Sequence, residues 1–387
     1  MTSTTFNVPS TIIHGGGARK AVAEQAKQLG AHRILLVTDD GMVKLGVAGQ
    51  IRQLLENIGL DVAIFDQVHP DPTDQNVRDG LAVLREHRSD AIVAVGGGSP
   101  IDTGKVISIL QSNPEPMRQY MGYHQIPNTG LPLIAIPTTA GTGSEVTKVA
   151  VITDTENDVK MMMLSTMLLP RVALVDYELT MSMPHELTAA VGVDTLTHAI
   201  EAYVSTKANV MTDPIALSCI RLVARHLPTA WQNPTDRHAR KGMMLAACQG
   251  GMSFSNSSVC LVHGMSRPIG AVFHLPHGLS NAVLLPTITQ FSIAGATERY
   301  ATVARTMGYA QGNQPDETAA EALVEGLQQL NYNLQVPRLG QCKGVNTDRF
   351  KNEVQKMAQD ALASGSPQNN PRVPTEQEII GLYHQAW

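Results

Sequence analysis

Short apolar runs rich in branched residues punctuate the first half of the chain, at 33–38 (RILLVT), 62–65 (VAIF), 91–95 (AIVAV), 131–137 (LPLIAIP) and 171–176 (RVALVD), each bounded by turn residues. Between several of them lie amphipathic stretches at 18–29, 47–58 and 74–87. Strand-like runs alternating with helical periodicity predict parallel strands joined by crossover helices. Sheets of that kind take ligands at the carboxyl ends of their strands.

After Pro184 the strand-like runs fade and long helical patterns take over. In DPIALSCIRLVARHL the set Ile215, Cys219, Leu222 and Val223 follows the spacing of one buried helix face, with Asp213 expected as the N-cap and Pro214 at the first helical position. The pattern predicts an α/β domain over 1–182 with a mostly parallel sheet, then an all-helical domain over 183–387. No repeat or flexible linker separates them, so a cleft between the two is the expected active site.

Composition narrows the classes of function. The 387 residues are 43% hydrophobic and 16% charged, with a net charge of −5, which describes well-buried globular domains and offers no electrostatic footprint for nucleic acid or an anionic membrane. No apolar stretch approaches the roughly 18 to 20 residues that span a bilayer, and the N-terminus lacks a basic segment followed by an apolar one. Cys219, Cys248, Cys260 and Cys342 are widely spaced, without a C-x-x-C pair, so a reduced cytoplasm is the simplest compartment.

AIVAVGGGSPIDTGK reads as a strand running into Gly96, Gly97 and Gly98, with Ser99 as N-cap and Pro100 opening a helix. Three glycines let a phosphate approach the backbone, and a helix N-terminus offers free amides with partial positive charge, so a pyrophosphate fits. A tight strand-to-helix turn without a ligand is the alternative. Asp102, three residues after Ser99, resembles a capping box and is read as structural, its charge partly offset by Lys105. The G-x-G-x-x-G fingerprint is absent.

A second loop, IPTTAGTGSEVT at 136–147, offers Thr138, Thr139 and Thr142 to ribose, amide or phosphate groups, although such loops are also ordinary turn chemistry. Asp39, ending the strand RILLVTD, stands where a carboxylate accepts from a ribose hydroxyl and repels a 2′-phosphate; a turn or helix cap is the plainer reading.

Asp194 and His198 sit at i and i+4 in DTLTH, on one helix face. His263 is expected to close an apolar helix-like run, and His277, between Pro276 and Gly278, sits at a bend. One carboxylate and three imidazoles suit a divalent metal, zinc as well as iron(II), and neutral imidazoles leave about +1 net charge on the ion. KMMML at 160–164 reads as a buried strand rather than a sulfur site.

With these blocks in hand, the chain resembles the iron-containing, group III metal-dependent alcohol dehydrogenases over nearly its full length, from RILLVTDDGM through GGGSPID, PTTAGTGSE, MPHELTAAVGVDTLTHAIEAY and LVHGMSRPIGAVFHLPHGLSNAVLLP to LYHQAW. The resemblance implies a dinucleotide-binding α/β domain joined to a helical metal-binding domain, the dehydroquinate-synthase-like plan. It implies that Asp194, His198, His263 and His277 bind iron(II), and that Gly97, Gly98, Ser99, Thr138, Thr139 and Thr142 contact NAD. It further implies that Asp39 favours NAD over NADP and that Lys160 lies near the cofactor. The implied reaction interconverts small primary alcohols or diols with aldehydes, lactaldehyde and 1,2-propanediol being the leading pair. A homodimer or larger homo-oligomer goes with the resemblance.

One position departs from it. Family members usually carry a histidine, a candidate proton relay, where this chain has Arg267, and arginine stays protonated near neutral pH. Two readings stand: Arg267 is structural or contacts cofactor phosphate or a carbonyl, with water or His274 handling the proton, or it recognises the carboxylate of an anionic aldehyde. His274 is either a relay titrating near neutral pH or an ordinary exposed loop histidine. A dehydroquinate-synthase-like lyase and a non-catalytic metal- or nucleotide-binding regulator are the other classes open to this sequence.

Overall fold

The computed structural model describes residues 3–157 and 159–387. Contacts divide the chain into two units, Asn7–Ser182 and Met183–Trp387, with residues 3–6 grouping with the latter.

In the first unit the strands are β1 (Thr11–His14), β2 (Arg33–Val37), β3 (Asp61–Phe65), β4 (Ala91–Gly96), β5 (Gly122–Tyr123), β6 (Leu133–Pro137), β7 (Val149–Asp154), β8 (Val159–Leu164) and β9 (Val172–Val175). Its helices are α1 (Val22–Gln28), α2 (Asp40–Lys44), α3 (Val47–Glu56), α4 (Asp74–His87) and α5 (Gly98–Leu110). Six strands form one parallel sheet in the order β1-β9-β6-β4-β2-β3.

Both faces of this sheet are covered, which explains the unbroken apolar runs. Leu35 and Val37 pack with Ile92, Ala94 and Ala135 in a cluster that includes Val77 and Leu81 of α4 and Ile101 and Val106 of α5. Ile34 and Leu36 face the other way, with Val93, Val95, Ile134 and Ile136, into a cluster containing Val22 of α1 and Ile51 and Leu55 of α3. Each such side chain contributes on the order of 1.5–3 kcal/mol by leaving water.

Strand order also locates a ligand crevice. The chain leaves β2 toward β3 at one edge and leaves β4 toward β6 in the other direction. The carboxyl ends of β2 and β4 therefore flank a topological switch point, where open α/β sheets bind ligands. A small sheet in the order β5-β8-β7, with β7 and β8 antiparallel, was not foreseen. Within it β8 carries Met161 and Met163 inward while Met162 is half-buried, so the methionine run is a half-buried strand rather than a fully buried one.

The second unit, among the described residues, is helical: α6 (His185–Val204), α7 (Asp213–Gln232), α8 (Arg237–Asn256), α9 (Leu261–Phe273), α10 (His277–Ser292), α11 (Thr297–Met307), α12 (Asp316–Asn333), α13 (Thr347–Ala363) and α14 (Glu376–Ala386). Helix starts are marked by side-chain caps, Asp236 on Ala239 N for α8 and a Thr375–Glu378 capping box for α14. No helix among the described residues is long and apolar enough to cross a membrane.

Three expected helix positions are corrected. Gly97, not Ser99, is the N-cap of α5, so Ser99 and Pro100 lie inside the first turn and Asp102 forms no capping box. Thr212, not Asp213, precedes α7, and Pro214 is its second residue. The Asp213 carboxylate is drawn instead to Arg299 Nη2 at 2.8 Å. His263 does not close a helix but stands third in α9.

Candidate cofactor and metal sites

At the switch point of the sheet, β4 ends in Gly96 and α5 begins at Gly98, with no acidic residue in its first turn. Gly96 has φ +150°, and a Cβ there would sit 2.5 Å from Pro100 Cγ and 3.0 Å from Asp39 Oδ2, so only glycine fits this turn. A Cβ on Gly97 would find nothing nearer than Thr139 at 3.6 Å. The first amides of α5 thus face a cradle bordered by hydroxyls.

The Thr-rich loop lies beside those glycines. Thr139 neighbours Gly97, Thr142 neighbours Gly98, and the buried Thr138 is tied by its N–H to Gly96 O at 2.9 Å. A buried polar network fixes the loop: Ser144 Oγ donates to Asp102 Oδ1 at 2.5 Å, Val151 N donates to Asp102 Oδ2 at 2.9 Å, and Lys105 Nζ donates to Ser144 Oγ at 2.8 Å and to Val149 O at 2.7 Å. Asp102 is thereby a structural anchor. Burial lowers the Lys105 ammonium from its ordinary range. Burial also raises the neighbouring Glu145 carboxyl, against the opposing pull of its own backbone amide and of Lys105, to about 7.

Asp39 is the helix cap that the plainer reading expected. Its Oδ1 accepts from Met42 N at 3.0 Å as the N-cap of α2, while Oδ2 points beside Gly96. Lys160, on β8, forms a largely solvated ion pair with Asp71 at 2.7 Å. Such a pair stabilises little.

In the helical unit, α6 carries Asp194 and His198 one turn apart on a buried stretch. A Cβ on Gly278 would lie 2.7 Å from Ala190 O, so that glycine lets the start of α10 approach α6 one turn before Asp194. His277, the first residue of α10, arrives there with Pro276 as N-cap. Ligand atoms of Asp194, His263 and His277 lie within 4.8 Å of one another. His198 joins at the side: its Nε2 is 3.9 Å from Asp194 Oδ1, and its ring stacks on His263 at 4.5 Å and on Phe254 at 4.3 Å. Burial alone would raise the Asp194 carboxyl, but the surrounding imidazoles hold it well below the usual carboxylate range. Burial would lower the His263 imidazole, yet the Glu201 and Asp194 carboxylates raise it to about 9.

Two residues of this cluster were not foreseen. Glu201 lies 2.6 Å from His263 Nδ1, and Asn281 Nδ2 lies 2.7 Å from Asp194 Oδ1, 3.1 Å from His263 Nε2 and 3.2 Å from His277 Nε2. Spacing carried the signal: Glu201 is seven residues after Asp194 on α6, and Asn281 four after His277 on α10, each on the same helix face.

The two remaining candidates stand at the ends of other interactions. Arg267 Nη1 donates to Ser366 Oγ at 2.9 Å, linking α9 to the turn at 366–367. His274 ends α9 in the left-handed conformation, φ 55°, and is exposed.

A parallel sheet with a glycine cradle at its switch point, and a carboxylate–imidazole cluster on a helical unit, are the fold and donor set of a nucleotide-binding domain joined to a candidate metal-binding domain. Comparison with known proteins agrees. The model of iron-containing alcohol dehydrogenase matches residues 9–177, and that of the Fe-containing alcohol dehydrogenase family, C-terminal, matches residues 188–387. The chain belongs to the iron-containing alcohol dehydrogenase family. It is 40% identical over 384 residues to 1,3-propanediol dehydrogenase of Klebsiella pneumoniae, covering 99% of this chain and 98% of that one. It is 38% identical over 379 residues to lactaldehyde reductase of Escherichia coli, covering 97% and 98%. A crystal structure of a 1,3-propanediol oxidoreductase superposes with a TM-score of 0.96 at 39% identity, covering all of both chains. The family assignment favours a dehydrogenase over the lyase and the non-catalytic regulator.

Proposed function

We propose that this protein is an NAD-dependent, iron-activated dehydrogenase of small primary alcohols or diols, with lactaldehyde and 1,2-propanediol as the leading pair and 1,3-propanediol next. The observation that carries the reading is the convergence of Asp194, His263 and His277 donors within 4.8 Å, with His198 beside them. One carboxylate and imidazole nitrogens, with Asp194 and His263 buried and His277 exposed, fit a divalent cation. When bound, the ion supplies Lewis acidity toward the alcohol oxygen, and the nicotinamide supplies the hydride acceptor.

The chain's own residues do the rest. Asp194, His198, His263 and His277 hold the ion. Amides of Gly97, Gly98 and Ser99 receive the pyrophosphate at the start of α5. Thr138, Thr139 and Thr142 line the same loop, Asp39 Oδ2 accepts from the ribose and repels a 2′-phosphate, and Lys160 lies at the cofactor's margin. Arg267, tied to Ser366, keeps a positive charge and holds α9 in place rather than moving a proton. The proton then passes to water or His274. Iron is the family's metal; the donor set suits zinc equally, and zinc stands above iron(II) in intrinsic affinity. A cytoplasmic homo-oligomer completes the proposal.

A panel of short aldehydes tests it: lactaldehyde, 3-hydroxypropanal, formaldehyde and a carboxylated aldehyde, each with NADH and NADPH under anaerobic conditions with iron(II). The expected result is NADH consumption fastest with the hydroxyaldehydes and weak with NADPH. Preference for the carboxylated aldehyde, lost in Arg267→Ala, would instead favour anion recognition by Arg267. Silence across the panel from protein shown to bind metal and NAD would overturn the dehydrogenase.

A further inference from the structure

Glu201, in the HAIEAY stretch of α6, is buried with 3% of its surface exposed. Its two oxygens meet three donors from one short segment. Oε1 accepts from Val262 N at 2.6 Å; Oε2 accepts from Cys260 N at 2.8 Å and lies 2.6 Å from His263 Nδ1. The first amides of a helix lack intrahelical acceptors, and the helix dipole favours a negative charge there. Glu201 therefore starts α9 at the place that presents His263.

The chemistry of the third contact goes further. To bind a metal the imidazole must be neutral and carry one ring proton, and a carboxylate, which only accepts, holds that proton on Nδ1. The lone pair then sits on Nε2, the nitrogen 3.5 Å from Asp194 Oδ1. We infer that Glu201 is a positioning residue that sets the metal affinity of the site by fixing the tautomer and ring orientation of His263. This rests on the metal-site reading above, and it adds a residue that makes no contact with the ion.

Glutamine at this position cannot satisfy the same three donors. Its oxygen can serve Val262 N, which turns its NH2 toward Cys260 N and His263 Nδ1 and moves the imidazole proton to Nε2. Alternatively its oxygen serves Cys260 N and His263 Nδ1, and its NH2 then confronts Val262 N.

The test compares zinc(II) affinity, by chelator competition, in the wild-type full-length protein, Glu201→Gln and Asp236→Ala. Asp236 caps α8 through Ala239 N at 2.8 Å and serves as a purely structural control. Glu201→Gln is expected to weaken zinc binding about 10- to 100-fold, the usual effect of removing a partner of a metal-bound histidine. Asp236→Ala should lower Tm and leave affinity unchanged. A Glu201→Gln protein that loses Tm but binds zinc as tightly as wild type overturns the inference, making Glu201 a cap alone.

Should Glu201→Gln fail to fold, nitrogen chemical shifts of 15N-histidine in the zinc-loaded wild type decide, with the His263 resonance identified by its loss in His263→Ala. The Nδ1–H form supports the inference and the Nε2–H form overturns it. A wild type that binds no zinc or iron overturns the metal-site reading and this inference together.

Discussion

Asn281 Nδ2 donates to Asp194 Oδ1 at 2.7 Å, and both residues are buried. The reverse amide orientation would set an oxygen against the carboxylate, so the donor end is fixed by charge. The other end, Oδ1, is buried without a hydrogen-bond partner among the described residues. Asn281→Ala should therefore leave Asp194 short of a donor and destabilise the protein by about 1–3 kcal/mol. At roughly 2–4 °C per kcal/mol for a unit of this size, a melt in chelator should show a clear fall in Tm. An unchanged Tm would mean that Asn281 does not support Asp194.

The glycine cradle makes a paired prediction. Gly96→Ala places a Cβ 2.5 Å from Pro100 Cγ in a backbone conformation that alanine resists, so the fold should lose about 1–3 kcal/mol. Gly97→Ala meets no atom within 3.5 Å of its new Cβ, the nearest being Thr139 at 3.6 Å, so Tm should hold. Its methyl group instead occupies the approach to the first amides of α5. The KM for NADH should rise about tenfold, equivalent to about 1.4 kcal/mol, and steady-state kinetics beside a melt would expose a wrong assignment as an unmoved KM.

Asp39 separates into a structural oxygen and a selective one. Asparagine keeps an oxygen for Met42 N, because Asn caps helices as well as Asp does. Asp39→Asn should leave Tm near wild type and raise the NADPH-to-NADH ratio of kcat/KM. An unaltered ratio would reduce Asp39 to a cap.

Stability should fall with rising pH because of Glu145. Burial raises its carboxyl to about 7 in the fold, from 4.5 as its ordinary value. Below pH 4.5 both folded and unfolded carboxyls are protonated and no penalty arises. From 4.5 to 7 the unfolded carboxyl ionises while the folded one keeps its proton, so the unfolded state gains and stability drops; above 7 the drop is complete, at about 3 kcal/mol. Glu145→Gln should flatten this part of the Tm profile between pH 4.5 and 8. A profile that still falls as in wild type would place the pH dependence elsewhere.

Much of this was legible in the sequence for definite reasons. The strands at 33–38 and 91–95 stood out because both faces of the sheet are buried, which forces apolar residues at every position. Their order did not, since register between β1 and β9 joins segments far apart in the chain, and β5 is two residues long. Asp194, His198, His263 and His277 were visible as a metal-type donor set. Glu201 was hidden because a helix carboxylate ordinarily reads as a solvated residue, and its burial is known only once α9 starts against it. That contact also explains the misplaced His263. Ser99 misled as a cap because the extended Gly97, directly after the strand, already caps the helix two residues earlier.

A divalent ion held by the Asp194 cluster would be what activates hydride exchange with NAD. The most direct measurement is the rate of NADH oxidation by lactaldehyde, using metal-stripped protein reloaded anaerobically with iron(II) or with zinc(II), alongside Asp194→Ala treated identically. Metal activation predicts near-zero activity in the stripped protein, recovery with iron(II), and no recovery in Asp194→Ala. Full activity in stripped protein, or equal recovery in Asp194→Ala, would contradict it, and recovery with zinc(II) alone would contradict iron.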